Sequence, residues 1–181
     1  MKTIYKVITF VACLGLLSQC APDGEYDHPI NHDNIPDVPI IFPGATTFGA
    51  NPYYQVGWQG GAAPIQITID VAEGSTQKIK EVTKMIAGTT SITPATLASA
   101  ANYLAAPIAA NGGAVVISTS ITEFNAKMPA ATDVTQTLVT NAAASTPATP
   151  YVERAFMFIV TLEDDSQIIT QQLRFRVTKD F

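Results

Sequence analysis

Cysteine and histidine are scarce in this chain of 181 residues, and their positions limit its chemistry. The two cysteines are Cys13 and Cys20, and the two histidines are His28 and His32. From residue 40 onward the chain therefore offers no thiol and no imidazole. A Ser-His-Asp triad, a cysteine nucleophile and a histidine metal centre are excluded there unless the preceding segment folds back. A disulfide framework is also excluded, so an ordinary apolar core must supply the stability.

Charged residues make up only 14% of the chain, and basic residues are fewer than acidic ones. The 10 Lys and Arg residues stand against 15 Asp and Glu residues, which gives a net charge of −5. An acidic protein repels nucleic acid and anionic lipid, so the composition disfavours a phosphate-binding role. The length suits one domain with a sizeable core.

Long apolar runs are missing, and the most continuous one lies near the start. Residues 7–17 are apolar apart from Thr9, and Lys2 and Lys6 stand in front of them. A run of about 11 residues is too short for a membrane-spanning helix, which needs about 20. A basic front, a short apolar run and a polar end together predict an export signal. Loss of the two lysines with that signal takes the net charge from −5 to −7.

The end of this run, Leu17-Ser18-Gln19-Cys20, resembles the lipobox of bacterial lipoproteins. The resemblance implies cleavage before Cys20, a diacylglycerol thioether on its sulfur and an acylated amino terminus. Two or three acyl chains make a stable anchor, so the protein is expected to sit on a membrane without crossing it. Gln19 departs from the pattern, in which a small residue is usual. The alternative is an ordinary secretory signal that is cut at another small residue.

A tether is predicted at residues 20–39, between the signal at 1–19 and a domain at 40–181. Residues 21–39 contain five acidic residues, four prolines and no basic residue. So little apolar surface cannot offset the entropy of ordering the backbone, which predicts an extended, self-repelling linker. Acidic residues soon after the cysteine are similar to the surface-export signals of some Gram-negative lipoproteins. This similarity favours the outer membrane and the cell surface, with its periplasmic face as the alternative.

Both histidines fall in the tether, beside Asp27 and Asp33. Imidazole and carboxylate groups are suitable ligands for zinc or nickel. Pro29 lies between His28 and His32 in a segment without helical periodicity, which favours a solvated spacer over a metal site. We therefore expect no metal and no cofactor.

The domain at 40–181 is predicted to be all-β. Apolar and polar residues alternate most clearly in 65–71 and 156–177, and the second stretch contains an acidic turn at 163–166. Such alternation, with turn signals between short segments, is typical of half-buried strands. Further strands are predicted at 40–42, 53–58, 78–86, 114–124 and 134–139. Residues 78–86 also fit a helix, and the strand is preferred because of the neighbouring segments.

A total of seven to nine strands favours an immunoglobulin-like antiparallel β-sandwich, with a small open barrel as the alternative. A short helix is expected near 94–106, because Thr93 suits a cap and Pro94 suits the first turn, and the alternative is a loose crossover loop. The final hairpin, 156–177, resembles the last two strands of immunoglobulin-like domains in bacterial surface lipoproteins.

Three aromatic residues, Tyr53, Tyr54 and Trp58, are candidates for a ligand-binding face. Exposed rings can stack on sugars, which would make this face a glycan-binding site. Aromatic residues in short strands more often pack in a core or across strands, and this alternative is preferred.

Paired carboxylates are the one enzymatic pattern that the domain offers. Asp70 together with Glu123 or Glu153 could serve a glycosidase if the two groups converged in a cleft. Carboxylates on the wet faces of strands are more often solvated charges, so we expect no catalysis.

Two further charged groups lie in the final hairpin. The acidic turn Glu163-Asp164-Asp165 offers oxygen ligands that suit calcium, although a solvated turn is the simpler interpretation. Arg174 and Arg176 alternate with apolar residues, and they either bind an acidic partner or protect an edge strand from aggregation.

These patterns lead to one functional expectation and one alternative. The chain is expected to be a non-catalytic, lipid-anchored module at the outer membrane, used in adhesion, envelope assembly or as an accessory to a membrane complex. The alternative is a carbohydrate-binding accessory lipoprotein that presents Tyr53, Tyr54 and Trp58. No nucleic-acid partner is expected.

Overall fold

The computed structural model describes residues 38–47, 51–145 and 150–179. The predicted signal at 1–19, the lipidation residue Cys20 and nearly all of the predicted tether lie outside the described residues. Residues from Val38 onward group into one compact unit. The described part contains nine strands: β1 (Ile40–Ile41), β2 (Tyr53–Gly57), β3 (Pro64–Val71), β4 (Ile79–Gly88), β5 (Ile108–Ala109), β6 (Val115–Ser120), β7 (Tyr151–Leu162), β8 (Gln167–Ile169) and β9 (Leu173–Thr178).

The strands form two sheets, so the all-β prediction is confirmed in its coarser form: the protein is mostly β, with a few short helices. The smaller sheet has the order β1-β3-β6, and the larger has the order β2-β9-β7-β4-β5, with β8 also paired to β7. The named pairs are antiparallel except for β2 and β9, which run parallel. The larger sheet curls into a half-barrel. The finer prediction of an immunoglobulin-like sandwich does not follow from this arrangement.

The alternating stretch at 65–71 forms β3 as predicted. Ile65, Ile67 and Ile69 are at most 1% exposed and face β6 residues of the same core. Burial of one such side chain contributes about 1.5–3 kcal/mol before the entropy of ordering is subtracted. The alternation of buried and exposed residues along β3 therefore determines which face of the smaller sheet packs against the core.

The final hairpin is also confirmed, but it is buried more fully than predicted. Phe156 and Phe158 point into the main core, whereas Ala155 and Met157 lie on the opposite, outward face of β7. All four are buried because a helix covers the outward face at this point. The return strand is divided into β8 and β9.

The helix that covers it is α1 (Pro94–Ser99), within the expected 94–106 segment. Thr93 caps it by accepting a hydrogen bond from the Thr96 amide, and Pro94 occupies the first turn, as expected. The helix ends at Ser99, earlier than predicted. Leu97, at 0% exposure, packs against Ile86 and Met157 in a second, smaller apolar cluster.

Two predicted strands contain helices instead. The strand predicted at 114–124 ends at Ser120, whose hydroxyl accepts a hydrogen bond from the Glu123 amide and starts α2 (Ile121–Lys127). The strand predicted at 134–139 is wrong, because Thr135 caps α3 (Gln136–Ser145) through the Leu138 amide. Local hydroxyl caps decided both cases against the apolar alternation. None of the helices in the described ranges is long and apolar enough to cross a membrane.

Candidate functional site

A cleft of about 540 Å³ opens between the irregular segment that follows α1 and the end of α2. Its lining is mostly apolar and consists of Ile86, Ala87, Ala100, Ala101, Asn102, Tyr103, Leu104, Ala105, Lys127, Met128 and Pro129. A second depression of about 350 Å³ adjoins it and shares Tyr103, Leu104, Ala105 and Lys127. A volume of this size, with few polar groups, is typical of small-molecule sites.

One wall of the cleft is held by a β-bulge in β4. The register between β4 and β7 shifts between Val82 and Lys84. On the edge of β4 that faces away from β7, the 102–104 segment supplies the hydrogen-bond partners of the backbone groups. Asn102 donates from Nδ2 to the Thr83 carbonyl at 3.2 Å, and its Oδ1 accepts from the Met85 amide at 3.0 Å. The Tyr103 amide then donates to the Met85 carbonyl at 2.7 Å. Side-chain and backbone bonds thus replace a neighbouring strand.

Tyr103 forms the floor between the two depressions. Its ring is 6% exposed and meets Phe156 edge to face, with 5.7 Å between the ring centroids. Its hydroxyl lies 2.7 Å from Thr119 Oγ1. Burial raises the pKa of Tyr103 to about 12, with a smaller rise from the Glu123 charge, against a lowering by the Thr119 hydrogen bond. The phenol is therefore neutral at physiological pH.

Glu123 and Lys127 form an ion pair at the rim, one helical turn apart on α2. Lys127 Nζ lies 2.7 Å from Glu123 Oε1, and Thr119 Oγ1 donates to Glu123 Oε2 at 3.1 Å. The Lys127 hydrogen bond holds the pKa of Glu123 below its ordinary value, with burial opposing and Thr119 assisting. Lys127 also donates to the Tyr103 carbonyl at 3.0 Å and lies 4.3 Å from the centre of the Tyr103 ring. The rim is thus a neutral, hydrogen-bonded pair.

The predicted carboxylate pairs do not converge. Asp70 and Glu123 lie beyond opposite ends of the β3–β6 ladder, because Pro64 pairs with Ser120 and Ile69 pairs with Val115. At about 3.3 Å per residue this ladder separates them by roughly 17–20 Å. Both oxygens of Glu153 are occupied by arginines. Asp70 and Glu123 are thus too far apart for the carboxylate pair of a glycosidase, and the Glu153 carboxylate is engaged by Arg174 and Arg176.

Glu153 is the centre of a second polar group, on the outward face of β2, β9 and β7. Arg174 Nη1 donates to Glu153 Oε2 at 3.0 Å, and Arg176 Nε donates to Glu153 Oε1 at 2.8 Å. The Arg176 guanidinium carbon lies 3.7 Å from the centre of the Tyr53 ring and 4.5 Å from that of Tyr151. We call these five residues the arginine cluster. It joins three strands, and its single carboxylate pairs with two guanidinium groups, which leaves one positive charge in excess.

The three predicted ligand-face aromatics are divided between two faces. Tyr53 lies in the arginine cluster, whereas its neighbour Tyr54 points to the opposite face, as alternation along a strand requires. Tyr54 donates to the Pro43 carbonyl at 2.7 Å, and burial raises its pKa. Tyr54 and Trp58 pack against the main core. The structure does not bring Tyr53 together with the other two as one stacking surface.

The acidic turn after β7 is occupied by protein donors. Asp164 accepts from Ser166 at 2.6 Å and from Gln77 at 3.1 Å, and Lys80 pairs with Asp165. Within residues 38–47, 51–145 and 150–179, no group of three His, Cys, Asp or Glu side chains could hold a metal ion. The calcium interpretation therefore gains no support from the turn.

Comparison of the chain with protein-family models, curated proteins and solved structures gave no match. The site is consequently described from its own geometry. Sequence reasoning missed Tyr103 and Lys127, which lie 24 positions apart and meet through tertiary packing. The spacing of Ser120, Glu123 and Lys127 was the available signal, since it combines a helix cap with a pair one turn apart.

Proposed function

We propose that this protein is a lipid-anchored, non-catalytic binding or structural module of the outer membrane, with its body on the cell surface. The observation that carries the proposal is the order of Lys2 and Lys6, an apolar run and Leu17-Ser18-Gln19-Cys20. A lipid on Cys20 then places the protein on the membrane without a spanning helix. The periplasmic face of the same membrane is the alternative location.

The body supports a binding or structural role more than a catalytic one. Its stability comes from a continuous apolar core, and its charged groups at the cleft and in the arginine cluster are paired with each other. Adhesion, envelope assembly or an accessory place in a membrane complex fit such a body. Its proposed relation to immunoglobulin-like domains has support from the two sheets, while the curl of the larger sheet weighs against it.

The alternative is a carbohydrate-binding accessory lipoprotein that uses Tyr53, Tyr54 and Trp58. It has weaker support, because Tyr54 and Trp58 pack against the core and only Tyr53 belongs to the outward face. A glycan array decides between the two. Specific sugar binding that is lost in Trp58→Ala would favour the alternative, and the absence of glycan binding would favour the first proposal.

Mass spectrometry of the protein isolated from membranes tests the anchor. We expect a mature chain that starts at Cys20 and carries acyl groups, and we expect Cys20→Ser to lose both the acyl mass and membrane retention. Cys13→Ser is the matched control, because Cys13 lies in the predicted signal, and it should leave the mature mass unchanged. An unmodified amino terminus at any other residue would contradict the proposal. Protease treatment of whole cells then separates the surface from the periplasmic face.

A further inference from the structure

We propose that the cleft between the 100–105 segment and the end of α2 binds a small, neutral, apolar molecule with one carbonyl-type hydrogen-bond acceptor. This inference rests on the proposed binding role, whereas it does not depend on the lipid at Cys20. A ketone, an ester or an amide has the chemistry that the cleft would recognise.

Small alanine side chains in the lining leave room in the cleft for a ligand. The lining of the cleft of about 540 Å³ includes Ala100, Ala101 and Ala105, which present only methyl groups, and Met128 and Pro129 add apolar surface. The cleft is open to solvent, because Ala101 and Ala105 are exposed. Apolar surface around such a void favours an apolar ligand, which removes water from it.

The cleft is formed in advance, because its wall is held in place. Asn102 makes three hydrogen bonds, to Thr83, to Met85 and to the Leu104 amide, the last at 3.1 Å. Tyr103 is fixed by its ring contact with Phe156 and by its bond to Thr119. A ligand therefore meets an ordered site, which lowers the entropy cost of binding.

Lys127 supplies the polar contact. It lines both depressions, is 38% exposed, and gives two of its three protons to Glu123 and to the Tyr103 carbonyl. Among the described residues this leaves one donor without an oxygen partner. That donor can bind the carbonyl oxygen of a ligand whose apolar part fills the cleft.

The Glu123 carboxylate determines which ligand charge the rim favours. Its carboxylate is ionised at neutral pH and already balances the Lys127 ammonium, so the rim carries no net charge. Of the two depressions Glu123 lines the smaller one, so an anionic ligand that extends from the cleft to the rim would meet its carboxylate, and a cationic ligand would meet Lys127. A neutral acceptor avoids both repulsions and is the chemistry that fits.

Methionine methyl NMR tests the proposal on the lipidated chain in nanodiscs, with isotope label only in this protein. The probes are 2-nonanone and nonanoate, which share chain length and differ in charge. We expect 2-nonanone to shift the Met128 methyl signal saturably, while Met157, buried under α1, serves as the internal reference. Nonanoate should bind about tenfold more weakly. An unmoved Met128 signal with both probes, or tighter binding of nonanoate, would overturn the proposal.

Two variants locate the site. Ala101→Leu should abolish the Met128 shift by filling the cleft, and Ala98→Leu, an equal change on the exposed side of α1, should preserve it. Lys127→Met should weaken 2-nonanone about fivefold through loss of one hydrogen bond, and Lys84→Met should not. An unchanged response in Ala101→Leu would contradict binding in the cleft. The absence of 2-nonanone binding would not contradict lipidation of Cys20, and an unlipidated Cys20 would not contradict binding in the cleft. The two proposals can therefore fail separately.

Discussion

The outward face of β7 is covered in two different ways along its length. Ala155 and Met157 are buried under α1, whose Leu97 is 0% exposed. Glu153, two residues earlier on the same face, is bound by Arg174 and Arg176. The apolar part of this face is covered by a helix, whereas the charged part is largely covered by its own partners: Glu153, Arg174 and Arg176 are 18%, 26% and 23% exposed. The two halves should respond to different perturbations.

The apolar half is expected to show the largest effect. Leu97→Ala should lower the free energy of unfolding by about 3 kcal/mol, because it removes a buried side chain and leaves a cavity. Leu138→Ala is the control, since Leu138 is 44% exposed on α3 and should change stability by less than about 0.5 kcal/mol. Urea denaturation of both variants gives the measurement. Equal effects would mean that α1 contributes little to the cover.

The charged half should show a smaller and salt-dependent effect. Glu153→Gln keeps the shape but leaves two guanidinium groups with a weaker acceptor, and we expect a loss of about 2 kcal/mol. The substitution provides no new hydrogen-bond acceptor for Arg174 Nε, which is buried without a partner in the described part of the chain. The loss should shrink as sodium chloride is raised, whereas that of Leu97→Ala should not. Glu163→Gln, in the exposed turn, is the control.

The ion pair at the cleft should show the smallest effect, and only in acid. The pKa of Glu123 is lower in the folded chain than its ordinary value of 4.5, so the unfolded chain takes up the proton first as the pH falls. The stabilisation is present above about pH 4.5 and is lost as the pH falls through the folded pKa. Because the Glu123 side chain is 41% exposed, the effect should stay below about 1 kcal/mol.

The difference between wild type and Glu123→Gln measures this contribution. Denaturant unfolding at steps from pH 6 to pH 3 should show the two stabilities converging toward the acid end. A difference that grows as the pH falls would contradict the lowered pKa.

The sequence predicted the strands whose alternation reflects burial on one side, such as the run from Ile65 to Ile69. It also predicted the start of α1, since the cap by Thr93 and the preference of Pro94 for the first turn are local effects within one helical turn. It did not predict α2, because the alternation that starts in 114–120 was extended past Ser120, and it did not predict α3, because Val134 and Leu138 share a face in a strand as well as in a helix. In those places a single hydroxyl at Ser120 or Thr135 decides the outcome, and its weight depends on what packs nearby.

The candidate site was less predictable than the fold. Tyr53 was named from its aromatic character, but its role beside Arg176 depends on the pairing of β2 with a strand from the far end of the chain. Tyr103 lies in a segment that looks like a continuation of a helix. The helix ends at Ser99, and Asn102 and Tyr103 bond instead to the backbone of β4 beside its register shift, a tertiary contact that the local sequence does not reveal.

The parallel pairing of β2 and β9 also has a consequence for biogenesis. Thr178 contacts Val56 across 122 positions. β2 can therefore pair with β9 only after the last strand of the chain is available. Contacts of such separation slow folding. During synthesis the chain should therefore leave β2 unpaired on that side and complete its larger sheet only after residues 173–178 have been made.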